Sequence, residues 1–207
     1  MSIVPRTANQ RLYQRLLEDF SVPVVIAVGP AGCGKSLMAC QAGAHMLSHK
    51  RVQRIVLTRP AVSTEQHGFL PGTIERKMDP WVRPLFDALR RFYTARDIRF
   101  MMEDQTIEVC PIGYMRGRTF DNAWIIADEM QNSTPAQMQM ALTRIGNDSK
   151  MVITGDPNQS DIAFDGLRDV IDRLNFKELT SVQYMCMTNA DVQRSEAVRE
   201  ILKLYSQ

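Results

Sequence analysis

One eight-residue segment constrains the fold of this 207-residue chain more than any other feature. Gly29-Pro-Ala-Gly-Cys-Gly-Lys-Ser36 fits the pattern G-x-x-x-x-G-K-[ST]. It follows an apolar, β-branched run at residues 22–28 and precedes a predicted helix at residues 35–50. A strand, a glycine-rich turn and a helix in this order surround phosphate oxygens with backbone N–H groups at a positive helix end. The segment therefore predicts a phosphate-binding loop.

Strands alternate with helices along the rest of the chain. Further strands are predicted at residues 55–58, 106–110, 123–127 and 150–154, and further helices at residues 9–19, 136–145, 166–174 and 191–204. Residues 73–97 have a helical pattern that Pro80 and Pro84 interrupt, which predicts two helices or one kinked helix. The alternation predicts one α/β domain over residues 1–207, with a mostly parallel sheet flanked by helices.

The phosphate loop also predicts which residues contact a nucleotide. Lys35 supplies a full positive charge to the β- and γ-phosphates, and the Ser36 hydroxyl is placed to bind Mg²⁺. The predicted nucleotide contacts are Gly29, Pro30, Ala31, Gly32, Cys33, Gly34, Lys35, Ser36 and Leu37.

Two later strands end in polar side chains, and in a parallel sheet these ends share one edge with the loop. Strand 123–127 ends in Asp128 and Glu129. Successive side chains at a strand end point in different directions, so Asp128 is predicted to bind Mg²⁺ and Glu129 to activate water. Strand 150–154 leads to Asp156 and Gln159. Gln159 is predicted to sense the γ-phosphate, whereas Asp156 either acts in the site or caps the next turn.

Composition and charge exclude several classes of protein. Hydrophobic residues make up 44% and charged residues 23%, which excludes a disordered chain. The longest strongly apolar run is too short to span a bilayer and no signal peptide is readable, so we expect no membrane and a cytoplasmic location. Net charge is only +2. A local basic stretch at residues 76–99, with Arg83 and Arg90, is either a nucleic-acid surface or a solvated helix face.

The order of these segments resembles superfamily 1 helicases, in which a phosphate loop precedes Asp-Glu, then Gln131, then Gly-Asp-x-x-Gln. Leu57-Thr-Arg-Pro-Ala-Val62, Gly68-Phe-Leu-Pro-Gly72 and Asp128-Glu-Met-Gln-Asn-Ser-Thr-Pro135 narrow the resemblance to the PhoH family of phosphate-starvation-associated ATPases. That resemblance implies a RecA-like P-loop NTPase domain that binds and hydrolyses ATP with Mg²⁺. It also implies RNA or single-stranded DNA as a partner.

The resemblance implies roles for residues outside the loop. Gln10 matches a glutamine that reads adenine, and Arg194 matches an arginine near the ATP site. Arg116 and Arg118 lie just before the acidic strand, where two guanidinium groups could clamp phosphate. Arg59 lies at a strand end that contacts the nucleic-acid backbone in helicases. An arginine at either place could instead hold a carboxylate.

The resemblance also bears on assembly. A superfamily 1 helicase places its nucleotide between two RecA-like domains, and the second domain supplies an arginine. Because this chain has one such domain, we predict a closed homo-oligomeric ring, a hexamer, in which Arg116 or Arg118 reaches a neighbour's ATP. Arg194 is expected to act within its own subunit.

Two other functions remain open. The chain could be a nucleotide-gated, RNA-binding ring with little turnover, which turnover with and without RNA would reveal. It could also be a P-loop phosphotransferase, which would not release phosphate without an acceptor.

Overall fold

In a computed structural model, which describes residues 4–60, 74–175 and 179–193, a six-stranded parallel sheet forms the centre of the molecule. The strands are β1 (Val24–Val28), β2 (Arg54–Thr58), β3 (Ile107–Val109), β4 (Ala123–Ala127), β5 (Lys150–Gly155) and β6 (Val182–Cys186). Their order across the sheet is β3-β2-β4-β5-β1-β6. Strand β5 thus lies between β1, which leads into the phosphate loop, and β4, which leads into the acidic pair. This confirms the predicted α/β class with a parallel sheet.

Helices cover both faces of the sheet. They are α1 (Ala8–Glu18), α2 (Lys35–Ser48), α3 (Ile74–Leu89), α4 (Ala95–Glu103), α5 (Pro135–Leu142) and α6 (Gly166–Leu174). One apolar cluster packs the four helices α1, α2, α3 and α4 against one face of the sheet. A second cluster packs α5 and α6 against the other face. The central strands β1, β4 and β5 are buried at every position, which explains their continuous apolar sequences.

Between β2 and β3 the chain does not divide at the prolines, so of the two predicted alternatives the single helix applies to this stretch. Pro80 and Pro84 both lie inside α3, and neither ends it. The side chains of Val82, Leu85 and Leu89 are fully buried in this helix, and their packing compensates for the backbone hydrogen bonds that proline cannot make. The chain breaks instead after Leu89, and α4 begins at a capping box between Thr94 and Asp97.

The sequence prediction also missed β6. This strand lies at the edge of the sheet beside β1, where Gln183 is half-buried and Tyr184 is exposed, so it lacks the continuous apolar run of a central strand. Of the predicted last helix at residues 191–204, only residues 191–193 are described, and they are not α-helical: Asp191 ends a 3₁₀ turn, Asn189–Asp191. The rest of that prediction lies outside the described residues. Among the described residues, no helix is both long and apolar enough to cross a bilayer.

Candidate nucleotide-binding site

The phosphate loop connects β1 to α2 in a tightly closed form. Gly34 precedes α2 with a φ of +98°, a left-handed conformation that favours glycine. Lys35 is the first residue of α2 and is buried. Its Nζ donates hydrogen bonds to the carbonyl oxygens of Gly29, at 2.6 Å, and Pro30, at 3.0 Å. The ammonium charge is therefore held inside the loop, where phosphate oxygens would replace the carbonyls.

A cavity of about 410 Å³ opens beside this loop. It is lined by Ala31, Gly32, Gly34, Lys35, Ser36, Leu37, Asp128, Glu129, Gly155 and Gln193. The structure thus brings most of the predicted nucleotide contacts together with both members of the acidic pair. The cavity has one wall from the loop and one from the carboxyl ends of β4 and β5.

Asp128 accepts hydrogen bonds from two hydroxyl groups, those of Ser36 and Thr154. It is 3% exposed, and its Oδ1 accepts hydrogen bonds from Ser36 Oγ, at 2.6 Å, and from Thr154 Oγ1. A carboxylate beside a hydroxyl is the oxygen donor set that Mg²⁺ prefers, so Ser36 and Asp128 fit the predicted metal-binding role. The sequence did not identify Thr154, because its contact with Asp128 depends on the register of β5 against β4.

Glu129 has an unusual backbone and two partners. Its φ is +54°, which is uncommon for a residue other than glycine. Gln131 Nε2 donates to Glu129 Oε2 at 2.6 Å, and Arg59 Nη2 lies 3.5 Å from Glu129 Oε1. Arg59 therefore holds a carboxylate, which is the alternative that the sequence left open. Gln131 was part of the family resemblance but had no assigned role.

The segment after β5 is fixed by its own side chains. Asp156 Oδ1 accepts from the backbone N–H of Asn158 at 3.0 Å and caps the 3₁₀ turn Pro157–Gln159. Asp156 Oδ2 accepts from Gln159 Nε2 at 2.8 Å. Asp156 thus takes the capping role. The Gln159 amide is directed at Asp156, and its contact with a γ-phosphate stays a prediction.

Backbone groups of this chain occupy every hydrogen-bonding position of the Gln10 side-chain amide. Its Nε2 donates to the carbonyl oxygens of Cys33, at 3.0 Å, and Asp191, at 3.3 Å. Its Oε1 accepts from the backbone N–H groups of Arg6, at 2.8 Å, and Thr7, at 3.4 Å. An amide has two donor hydrogens and two acceptor positions, so none remains for a base. Reading of adenine by Gln10 stays a prediction, and it requires these bonds to be exchanged.

Asp191 joins the start of α1 to the segment after β6. Its carboxylate accepts from Thr7 Oγ1, from Asn9 Nδ2 at 2.8 Å and from the Thr188 backbone N–H at 2.8 Å. Burial alone would raise the pKa of Asp191, but the hydrogen bonds from Asn9, Thr188 and Thr7 lower it. The adjoining Gln193 donates its backbone N–H to the Gly32 carbonyl at 3.1 Å. The Gln193 and Gln10 hydrogen bonds thus connect the phosphate loop to the segment after β6 and to α1.

Arg118 is occupied within its own chain. Both terminal nitrogens bind Glu108 in a bidentate ion pair, and the guanidinium carbon lies 4.6 Å from the centre of the Phe120 ring. The hydrogen bond to Glu108 raises the pKa of Arg118. Arg118 therefore has the carboxylate-holding role, whereas Arg116 is exposed to solvent.

Arg83 and Arg90 are not among the residues that line the cavity. Arg83 in α3 and Arg90 just after it are exposed, and Arg90 Nη1 lies 3.3 Å from Asp87 Oδ1. Both readings of the basic stretch therefore remain open. Arg194 lies outside the described residues.

Comparison with known proteins identifies relatives over nearly the whole chain. The family described as PhoH-like protein matches residues 2–206. The chain is 43% identical over 209 residues to the PhoH-like protein of Mycobacterium tuberculosis, covering 99% of this chain and 58% of that protein. It is 38% identical over 210 residues to Protein PhoH of Escherichia coli, again covering 99% and 58%.

A likeness among solved structures is weaker. The Pif1 helicase from Candida albicans aligns with 99% of this chain and 43% of its own, at 14% identity and a TM-score of 0.47. The chain spans 58% of the length of the two curated relatives above. Since the family match extends over residues 2–206, the chain belongs to the family of PhoH-like proteins.

Proposed function

We propose that residues 1–207 form one ATPase domain, which hydrolyses ATP with Mg²⁺. One observation carries this proposal. Lys35, Ser36, Asp128 and Glu129 line a single cavity of about 410 Å³, so a phosphate-directed charge, a metal-binding pair and a second carboxylate share one site. P-loop enzymes need these groups for attack of water on a γ-phosphate.

Each residue has a distinct part in the proposed reaction. Lys35 neutralises charge on the transferred phosphoryl group, and the loop N–H groups orient it. Glu129 accepts a proton from the attacking water. Mg²⁺ held by Ser36 and Asp128 would neutralise charge on the phosphate oxygens. Thr154 keeps the Asp128 carboxylate directed at Ser36.

We also propose that single-stranded nucleic acid, RNA or DNA, is the partner on which this hydrolysis acts. The support is the set of exposed arginines, Arg83 and Arg90, and the partly exposed Arg59 at the same sheet edge as the cavity. Guanidinium groups bind backbone phosphates with little dependence on sequence.

A closed ring of identical chains, a hexamer, is the proposed assembly. Arg116 is exposed, and within the described residues no contact holds it at its own subunit's cavity. It is therefore available to the ATP of a neighbouring subunit. The ion pair with Glu108 makes Arg118 the weaker of the two candidates.

Replacement of Glu129 tests the ATPase proposal. Glu129→Gln should lower kcat for phosphate release about 10²–10⁴-fold, because it removes the general base. Binding of ATP should be retained. Glu103→Gln in α4 is the matched control and should keep the wild-type rate. Phosphate release must also proceed without an added acceptor. An unchanged rate in Glu129→Gln would refute the base assignment, and acceptor-dependent transfer would favour a phosphotransferase.

A further inference from the structure

The carboxylate of Glu129 is held from two sides, and the two partners differ in kind. Gln131 is 2% exposed, and both ends of its amide are bound: Nε2 to Glu129, at 2.6 Å, and Oε1 to the Asp156 backbone N–H, at 3.1 Å. A Cβ on Gly155 would lie only 2.6 Å from the Gln131 Oε1. Burial, two hydrogen bonds and the close approach of Gly155 therefore fix the position of Gln131, which is the fixed partner of Glu129.

Arg59 is the exchangeable partner. Its side chain is 24% exposed, and its Nη2 lies 3.5 Å from Glu129 Oε1, longer than an optimal charged hydrogen bond. Guanidinium groups bind phosphate oxygens in a bidentate manner at least as well as carboxylates. A phosphate that reaches Arg59 can therefore compete with Glu129 for it.

The order of the strands indicates where such a phosphate comes from. Along the carboxyl edge of the sheet, the phosphate loop follows β1, Asp156 follows β5, Glu129 follows β4 and Arg59 follows β2. Glu129 thus lies between the nucleotide cavity and Arg59. Because Arg59 is on the side away from the loop, a phosphate from a second ligand reaches it more directly than a phosphate of the bound nucleotide.

We propose that Arg59 restrains the Glu129 carboxylate, and that a backbone phosphate of single-stranded nucleic acid releases it by binding Arg59. This inference rests on the proposed function and specifies how the two ligands are coupled. With Arg59 withdrawn, Glu129 Oε1 gains a free acceptor position for the proton of the attacking water. Gln131 keeps the other oxygen in place, so the carboxylate stays in the site. Arg59 is in this sense a positioning residue for the general base.

Arg59→Gln is the decisive variant. Its kcat without nucleic acid should rise at least about threefold, because a partly exposed ion pair restrains by roughly that factor. KM for ATP should not change, since Arg59 is not among the residues that line the cavity. Oligo(U) or oligo(dT) should stimulate the wild type and should give no further increase in Arg59→Gln. Arg173→Gln, which breaks an Arg–Asp pair on α6, is the matched control and should leave rate and stimulation unchanged.

Binding supplies a readout that is independent of turnover. The affinity of the nucleotide-free protein for labelled oligo(U) should depend less on salt in Arg59→Gln, with the slope reduced by about one phosphate contact. Arg59→Lys, which keeps the charge but loses the bidentate geometry, should be intermediate in both assays. Melting temperatures of all three variants identify any loss of folding, and the lysine variant keeps the test valid if the glutamine variant is unstable.

The outcomes separate this inference from the ATPase proposal. If the wild type releases phosphate but Arg59→Gln is slower and still stimulated, Arg59 serves the γ-phosphate, and the coupling is refuted. An ATPase that no single strand stimulates refutes it as well. If the wild type releases no phosphate with or without oligo(U), the proposed function itself fails, and the coupling fails with it.

Discussion

The carboxyl edge of the sheet is built differently at its two ends. At the loop end, beside β1 and β6, Gln10, Asp191 and Gln193 tie the phosphate loop to α1 and to the segment after β6. At the arginine end, beside β2 and β3, Arg59 is partly exposed, and the connection from β3 to β4 carries the exposed Arg116. The contacts that hold the loop end all come from this chain, from the neutral Gln10 and Gln193 and from the acidic Asp191. The arginine end presents charge to solvent, which suits contact with a second molecule.

This difference fits the proposal that the loop end is a nucleotide site completed within the chain and that the arginine end is a surface for partners. A change at one end should therefore be complemented by a subunit that is changed only at the other end, whereas two changes in the nucleotide cavity should not complement each other. The predictions below test that distinction.

The largest effect is expected at the arginine end. If Arg116 stabilises charge at a neighbour's ATP, Arg116→Ala should lower kcat about 10³–10⁵-fold. Mixing it with Glu129→Gln should restore part of the activity, because some interfaces then combine an intact arginine with an intact carboxylate. The measurement is phosphate release from each variant alone and from the mixture. Light scattering should show an oligomer in each sample. Wild-type activity in Arg116→Ala, or a monomer with full activity, would refute the shared site.

Next in size is the loop end. Lys35→Ala removes the charge that the loop holds at 2.6 Å from the Gly29 carbonyl, and kcat/KM should fall about 10²–10³-fold. Mixing with Glu129→Gln should not restore it, because both residues line the same subunit's cavity, whereas mixing with Arg116→Ala should restore part of the activity. The exposed Lys50→Ala is the control. A Lys35→Ala protein that binds and hydrolyses ATP normally would show that the loop is not the nucleotide site.

Sequence reasoning was most accurate where the signal was local. The phosphate loop is a contiguous motif between a buried strand and a helix, and Asp128 and Glu129 are adjacent at a strand end. The continuous apolar runs of β1, β4 and β5 reflect burial on both faces, so their positions were predicted closely. Edge strand β6 is only half-buried and has no such run, and it was missed.

Contacts that depend on the fold were beyond the sequence. Thr154 meets Asp128 only because β5 pairs with β4 in one register, with Ala127 opposite Ile153. Asp191 lies 184 positions after Thr7 in sequence yet binds its hydroxyl. The family resemblance located Gln131 but not its partners. The sequence also could not decide whether the prolines divide α3 into two helices, because tertiary packing there outweighs a local helix-breaking tendency.

Gln10 offers a finer test of the loop end. If its amide serves the loop, Gln10→Ala leaves the Cys33 and Asp191 carbonyls without their donor and should weaken nucleotide binding by about 1–3 kcal/mol. Magnesium tripolyphosphate, which has no base, should be weakened as much as ATP, and the ratio of ATP to GTP affinity should not change. Gln14→Ala, one turn further along α1, is the control.

The opposite pattern would support the sequence prediction. An adenine-reading glutamine gives ATP an advantage over GTP of about 1–3 kcal/mol. In that case Gln10→Ala would abolish the preference and leave tripolyphosphate binding at the wild-type level. Competition titrations against a labelled nucleotide measure all three ligands in one assay.

The smallest predicted effect is on the pH dependence of the free energy of unfolding, through a buried thiol in α2, the helix that follows the phosphate loop. Cys40 in α2 is fully buried, and burial, together with the nearby Asp128 charge, raises the pKa of its thiol. The unfolded thiol ionises near pH 8.5, so the folded state binds more protons above that pH, and the stabilisation present below it is lost as pH rises. The free energy of unfolding should therefore fall above about pH 8.5, by about 1 kcal/mol per pH unit from this group.

Urea unfolding from pH 7 to pH 10 measures this, with Cys40→Ala compared against the wild type. The variant should lose stability less steeply with pH, whatever its stability at pH 7. Lys150 acts in the opposite direction, because burial lowers its pKa to about 8, but it is present in both proteins and cancels in the difference. Cys186→Ala, at an exposed thiol on β6, controls for removal of a cysteine. Parallel curves for Cys40→Ala and wild type would mean that water reaches the helix behind the loop, and the loop end would then be as open to solvent as the arginine end.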